Sequence, residues 1–294
     1  MKPSLALLLI VLFAETAVQA QTTNHVSITL EGEWRVIRAN GLPDHPTGHF
    51  PNAHNPNSIA PQNYVFRVPV HPQIAAKPTP FTLQLFGIAI NGVPFDPGAN
   101  EWWNRDRNSG WQYEPMTGHL NLGVDDSNAH VQPNGAYHYH GIPLGIVARV
   151  KGARQNMLLI GWAADGFPIY APWGYTEATN AQSPLKDLKS SYRLKPGTRP
   201  NGPGGTYDGT FVTDFQYVAG AGDLDECNGR FGVTPEFPQG NYQYFITSEF
   251  PFIPRLYRGT PDVSFVRRGP PRGAAAGPPG RRPPGPPGGP PPGD

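Results

Sequence analysis

Asn128 to Pro143 reads NAHVQPNGAYHYHGIP and holds His130, His138 and His140, three of the nine histidines. The pair Asn134-Gly135 favours a tight turn with positive φ, and the alternation of Tyr137, His138, Tyr139 and His140 after it has the period of a strand. Successive side chains of a strand point to opposite faces, so the spacing predicts His138 and His140 on one face and both tyrosines on the other. Their Cα atoms then lie roughly 6.5 Å apart, close enough for two imidazoles to converge on one ion. His130, eight residues before His138, falls on the other arm of the same turn.

Outward from this stretch, the two ends of the chain separate from a central domain. Residues 1–20 read as a signal peptide: Lys2, an apolar run from Leu5 to Phe13 too short to span a bilayer, and Val18-Gln19-Ala20 as the cleavage site. The protein is therefore expected to be exported, secreted or periplasmic, with Gln21 first in the mature chain and no later transmembrane segment. From Arg267 to Asp294 the chain is almost entirely Pro, Gly, Ala and Arg, a composition that offers too little apolar surface to order itself. Five arginines against Asp294 give this tail a formal charge of +4, leaving about −3 on residues 21–266 of the total +1. A slightly acidic domain argues against nucleic acid as a partner. The single cysteine, Cys227, permits no intrachain disulfide.

Residues 21–266 show many short apolar or alternating runs between Pro/Gly turns. Val26–Leu30, 33–38, 64–70, 81–90, 156–162, 207–218, 242–247 and 263–265 read as strands. Residues 143–150 read as a short helix with Pro143 at its start, and 184–191 as one or two helical turns. Asp165 to Tyr170 is expected to be a turn followed by an edge-like segment. Residues 40–63 carry His45, His49 and His54 in a Pro/Asn/Gly-rich sequence, and Phe50 and Ile59 give it packing material, so an ordered loop is expected. The pattern predicts a mainly β domain, a sandwich or barrel-like fold with long loops and one or two short helices. One echo stands out: PNGAYHYH at 133–140 against PQGNYQYF at 238–245, either two equivalent strands of a duplicated unit or a chance likeness of hairpins.

The run GAYHYHGIP, with DGFPIY from Asp165, LDECNGRFG from Leu224, the loop LPDHPTGHFPN and NGVPFDP, resembles the YHYH-domain family of exported bacterial proteins over most of residues 40–265. The resemblance implies the motif and brings no reaction or catalytic residues with it.

Function must then be read from the residues. Three imidazoles with an open fourth position suit zinc or copper, so His138 and His140, with His130 as the third ligand, form the leading metal candidate. His45, His49, His54 or His119 are alternatives for the third place, and Asp125, Asp126 or Glu226 are candidate oxygen ligands. The turn holding Asp223, Asp225 and Glu226 is a secondary candidate for calcium, although it lacks the twelve-residue EF-hand pattern. An HxH pair on a strand can also be no more than a hydrogen-bonded pair. No G-x-S-x-G elbow and no phosphate-binding glycine loop occurs. The expectation is a protein that binds or handles a transition metal. The alternatives are an envelope or extracellular module placing Trp102, Trp103 and Trp111 on a glycan and the basic tail on an anionic surface, and a metal-dependent hydrolase or oxidoreductase.

Overall fold

A computed structural model describes residues 23–82 and 84–266. The leader expected at 1–20 and the tail expected at 267–294 lie outside the described residues. The domain is mainly β, as its alternating runs predict. Its centre is an eight-stranded open mixed sheet and not a closed barrel. Across the sheet the strands run Ala129–Val131, Tyr137–Tyr139, Pro94–Phe95, Gly87–Ala89, Leu159–Ala163, Pro168–Tyr170, Asn241–Phe245 and Gly229–Gly232. A three-stranded antiparallel sheet of Val26–Glu31, Trp34–Ala39 and Tyr64–Pro69 packs onto it. Ile37, Phe66 and Val68 of this smaller sheet share one core with Phe86, Ile88, Phe95, Tyr139, Trp162 and Tyr244.

The eight strands form two copies of one four-stranded unit about a pseudo-two-fold axis. At the axis, Gly87–Ala89 pairs antiparallel with Leu159–Ala163 so that Gly87 faces Ala163, Ile88 faces Trp162 and Ala89 faces Gly161. The hydrogen bonds repeat with the pairing. Ile90 N–H donates to Ile160 O and Ala164 N–H to Phe86 O, each at 2.9 Å. Gly87 and Gly161 are glycine for one reason: a Cβ on either would lie 2.5 Å from the carbonyl oxygen opposite, of Trp162 or Ile88. Each unit then turns through a positive-φ glycine, Gly92 or Gly166, into Val93-Pro94-Phe95 or Phe167-Pro168-Ile169. Phe95 lies parallel and opposite Tyr139, as Ile169 lies opposite Tyr244. The outer hairpins also match, with Ala129, His130 and Val131 facing Tyr139, His138 and Tyr137, and Gly229, Arg230 and Phe231 facing Tyr244, Gln243 and Tyr242. The echo between 133–140 and 238–245 is thus a structural equivalence.

Several local expectations need correction. Pro168–Tyr170 is an interior strand, because its neighbours Leu159–Ala163 and Asn241–Phe245 take up both of its edges. Leu185–Asp187 is a strand paired with Trp173–Tyr175 and not a helical turn, since cross-strand bonding overrides the start signal of Pro184. Val263–Phe265 is a 3₁₀ turn capped by Asp262, whose side chain accepts from Ser264 N–H at 2.8 Å, with Phe265 stacked on Phe66. Within 81–90 only Gly87–Ala89 is strand, and 207–218 divides into a 3₁₀ turn and Phe215–Tyr217. The short helix is present as Leu144–Arg149, directly after Pro143. Residues 40–63 hold no regular structure, yet Phe50 and Ile59 pack against the core. Cys227 is buried, and burial pushes its thiol up to about 12, so it is inert as a nucleophile at neutral pH.

Candidate metal centre

The Asn134-Gly135 turn folds the strand Ala129–Val131 back against Tyr137–Tyr139 and sets His130 directly opposite His138. His140 follows two residues on, on the same face. The ring nitrogens meet there: His140 Nε2 lies 3.1 Å from both His138 Nε2 and His130 Nε2. These three side chains are the group of histidine, cysteine or carboxylate ligands that converges among the described residues, with all ligand atoms within 4.8 Å of one another. His138 and His140 are each 2% exposed, and His130 is half-buried.

Backbone carbonyls decide which nitrogens are free. His138 Nδ1 is 3.0 Å from Ala136 O, and His130 Nδ1 is 2.9 Å from Leu122 O. A carbonyl only accepts, so His138 Nδ1 carries the proton and its Nε2 presents a bare lone pair. His130 Nδ1 lies between Leu122 O and the Asn55 amide nitrogen at 3.2 Å, and the shorter contact to the carbonyl favours the same tautomer there. Both lone pairs face His140 Nε2. His140 has one ring proton, and its buried Nδ1 has no hydrogen-bond partner in the structure. A single N–H cannot serve two acceptors and a third nitrogen as well. The three nitrogens therefore meet with fewer protons than lone pairs between them. The fixed outer nitrogens follow the pattern in which a metal-binding imidazole donates its other N–H to a carbonyl.

Electrostatics keep the imidazoles neutral. Burial lowers the His130 pKa and pushes those of His138 and His140 well below 6.5, with the neighbouring imidazoles and Arg255 adding to the depression at His140. Folded values below the unfolded one mean that the unfolded chain binds more protons as the pH falls. The metal-free domain should therefore hold its full stability above about pH 6.5 and lose it below, at a slope of up to about 1.4 kcal/mol per pH unit for each imidazole. Urea unfolding between pH 5 and 8 checks this, with His138→Ala/His140→Ala expected to flatten the curve.

The tyrosines point to the opposite face, as alternation requires. Tyr137 OH donates to Asp125 Oδ2 at 2.7 Å. Tyr139 OH lies 2.6 Å from His45 Nε2 and accepts from Asn91 Nδ2 at 2.9 Å. His45 Nδ1 is 2.9 Å from Pro46 O, so Nδ1 carries the proton and Nε2 accepts from Tyr139. The long loop thus buttresses the histidine strand from behind, and His45 and Asp125 serve as support and not as ligands. His49, His54 and His119 are exposed, and Asp126 and Glu226 are exposed.

The turn at Asp223, Asp225 and Glu226 is not part of this cluster. Asp223 pairs with Lys186 Nζ at 2.5 Å and accepts from Lys189 N–H. Asp225 accepts from Tyr242 OH at 2.9 Å and from the amides of Cys227 and Gly229. It is the counterpart of Asp125, bracing the second hairpin as Asp125 braces the first. Of the tryptophans that could stack on a glycan, Trp111 is buried against Phe211, and Trp102 and Trp103 are half-buried.

Sequence reasoning missed Asp96. It is 1% exposed, and its Oδ2 lies 3.8 Å from His138 Nε2. The signal was internal: NGVPFD at 91–96 recurs as DGFPIY at 165–170, and Asp96 stands where the copies part.

No curated protein and no solved structure matches the chain. The family model described as YHYH protein matches residues 65–259, which span the whole eight-stranded sheet and all three clustered histidines. With the match covering most of the chain, this protein belongs to the YHYH protein family.

Proposed function

We propose that this protein binds one transition-metal ion, zinc or copper, through Nε2 of His130, His138 and His140. One observation carries the reading: three imidazole nitrogens converge while carbonyls lie against the outer nitrogens of two of them, leaving lone pairs with too few protons between them. The two 3.1 Å separations from His140 Nε2 support it, since ligands about 2.0–2.1 Å from a tetrahedral zinc lie roughly 3.3 Å from each other. The leader-like residues 1–20 support handling of the ion outside the cytoplasm.

Calorimetric titration of the metal-stripped chain tests the reading. The parent should take up one equivalent of zinc(II) or copper, and His138→Ala/His140→Ala none, with unchanged far-UV circular dichroism. No saturable binding of either metal by the parent, or equal binding by the variant, would refute it.

A further inference from the structure

The pseudo-two-fold gives an internal comparison within the sheet, and its two halves agree or differ in an orderly way. The framework agrees. Asp125 and Asp225 cap equivalent turns, and Asn128 and Asn228 take φ of 56° and 53°. Tyr137 and Tyr242 donate to those aspartates, and Tyr139 and Tyr244 bond to Asn91 and Asp165. Four positions on the opposite face differ in chemistry. His130, His138, His140 and Asp96 in the first half correspond to Arg230, Gln243, Phe245 and Tyr170 in the second.

In the second half these positions build packing. Tyr170 and Phe245 form a small apolar cluster with Met157, Leu188 and Leu224. The Arg230 guanidinium lies over the Phe245 ring at 5.6 Å and donates to Tyr175 O. In the first half the same four positions are the three imidazoles and a buried carboxylate. Three of them are the ligands proposed above, and the fourth is Asp96.

We propose that Asp96 is the fourth ligand, so that the ion is enclosed by three imidazole nitrogens and one carboxylate oxygen. This rests on the metal reading of the preceding subsection. Hydrogen bonds orient the carboxylate. Its Oδ1 accepts from Gly98 N–H at 3.1 Å and its Oδ2 from Gln132 Nε2 at 3.2 Å, and a carboxylate oxygen can accept such a bond and bind an ion together. Its Oδ2 lies 3.8 Å from His138 Nε2 and outside the group formed by the three imidazoles, so ligation draws the carboxylate towards His130 and His140 as the site closes on the ion. One carboxylate charge also offsets half of a divalent ion's charge beside the buried His138 and His140. Four protein ligands make a closed site of the binding type, in which no position is left for a substrate or activated water. Three nitrogens and one oxygen in tetrahedral array favour zinc. The second half, with none of the four ligands, binds no ion, so the stoichiometry is one per chain.

Cobalt(II) in the full-length chain is the probe, with zinc affinity measured by competition. The parent should show the visible bands of four-coordinate cobalt and no response to azide. In Asp96→Ala, and in the isosteric Asp96→Asn should Ala impair folding, zinc affinity should fall at least tenfold, and azide should shift the cobalt bands by entering the opened position. An azide response in the parent, or a variant with parental zinc affinity and spectrum, overturns the assignment of Asp96. If the parent takes up no metal, the three-histidine reading falls with it. Uptake lost in His138→Ala/His140→Ala and unaffected in Asp96→Asn removes Asp96 alone.

Discussion

Zinc added to the metal-free protein should raise its melting temperature by about 8–16 °C at a free concentration near a thousand times the dissociation constant. A ligand that binds only the folded state at that excess stabilises it by about 4 kcal/mol. For a domain of this size each kcal/mol moves the midpoint by roughly 2–4 °C. The effect requires a folded site, because the unfolded chain holds His130 apart from His138 and His140. Differential scanning calorimetry with and without zinc provides the check, and His138→Ala/His140→Ala should show no rise. A rise of the same size in that variant would place the stabilising ion elsewhere.

Asp125→Ala should destabilise the domain by about 3–4 kcal/mol, measured by urea unfolding at pH 7. Its Oδ1 accepts from the amides of Ser127 at 2.9 Å and Ala129 at 3.3 Å, and its Oδ2 from Gly48 N–H at 3.0 Å and Tyr137 OH at 2.7 Å. Bonds to a charged acceptor contribute about 1.5–3 kcal/mol each when buried, and the half-exposure of Asp125 discounts their sum. Loss of the carboxylate frees Tyr137 and the long loop together, so the histidine strand loses its backing and metal affinity should fall too. Asp225→Ala is the control, since the same brace in the other half holds Tyr242 and no imidazole. It should destabilise the domain comparably and leave metal affinity unchanged. Equal losses of affinity in both variants would mean that stability, and not the local support of the site, controls binding.

The part of this architecture legible in the sequence is local. A turn dipeptide and strict alternation placed His138 and His140 on one face and predicted the opposite set of the tyrosines, because side-chain direction on a strand depends on position alone. The buttressing role of 40–63 was legible only as order, since Tyr139 and His45 are ninety-four residues apart. Pairing was hidden for a similar reason. Strands as short as Pro94–Phe95 and Pro168–Tyr170 carry too few residues for a periodic signal, and their prolines read as turn or edge. Asp96 therefore carried no signal of its own. What brings it to 3.8 Å from His138 is the parallel pairing of Phe95 with Tyr139, a contact across forty-four positions of sequence. Leu185–Asp187 shows the opposite error, in which a helix-start proline was outweighed by a partner strand that sequence does not name.

The repeat gives the histidine stretch its context. Tyrosine belongs to the framework in both halves, and histidine to one half alone. The YHYH run therefore combines two roles on two faces, Tyr137 and Tyr139 holding the strand and His138 and His140 converging with His130.

Elemental analysis of the full chain, purified without chelators, loaded with zinc or copper and then desalted, tests the central claim most directly. The account predicts about one metal ion per chain in the parent protein and close to none in His138→Ala/His140→Ala. Near-zero metal in both proteins, or the same content in both, would contradict it.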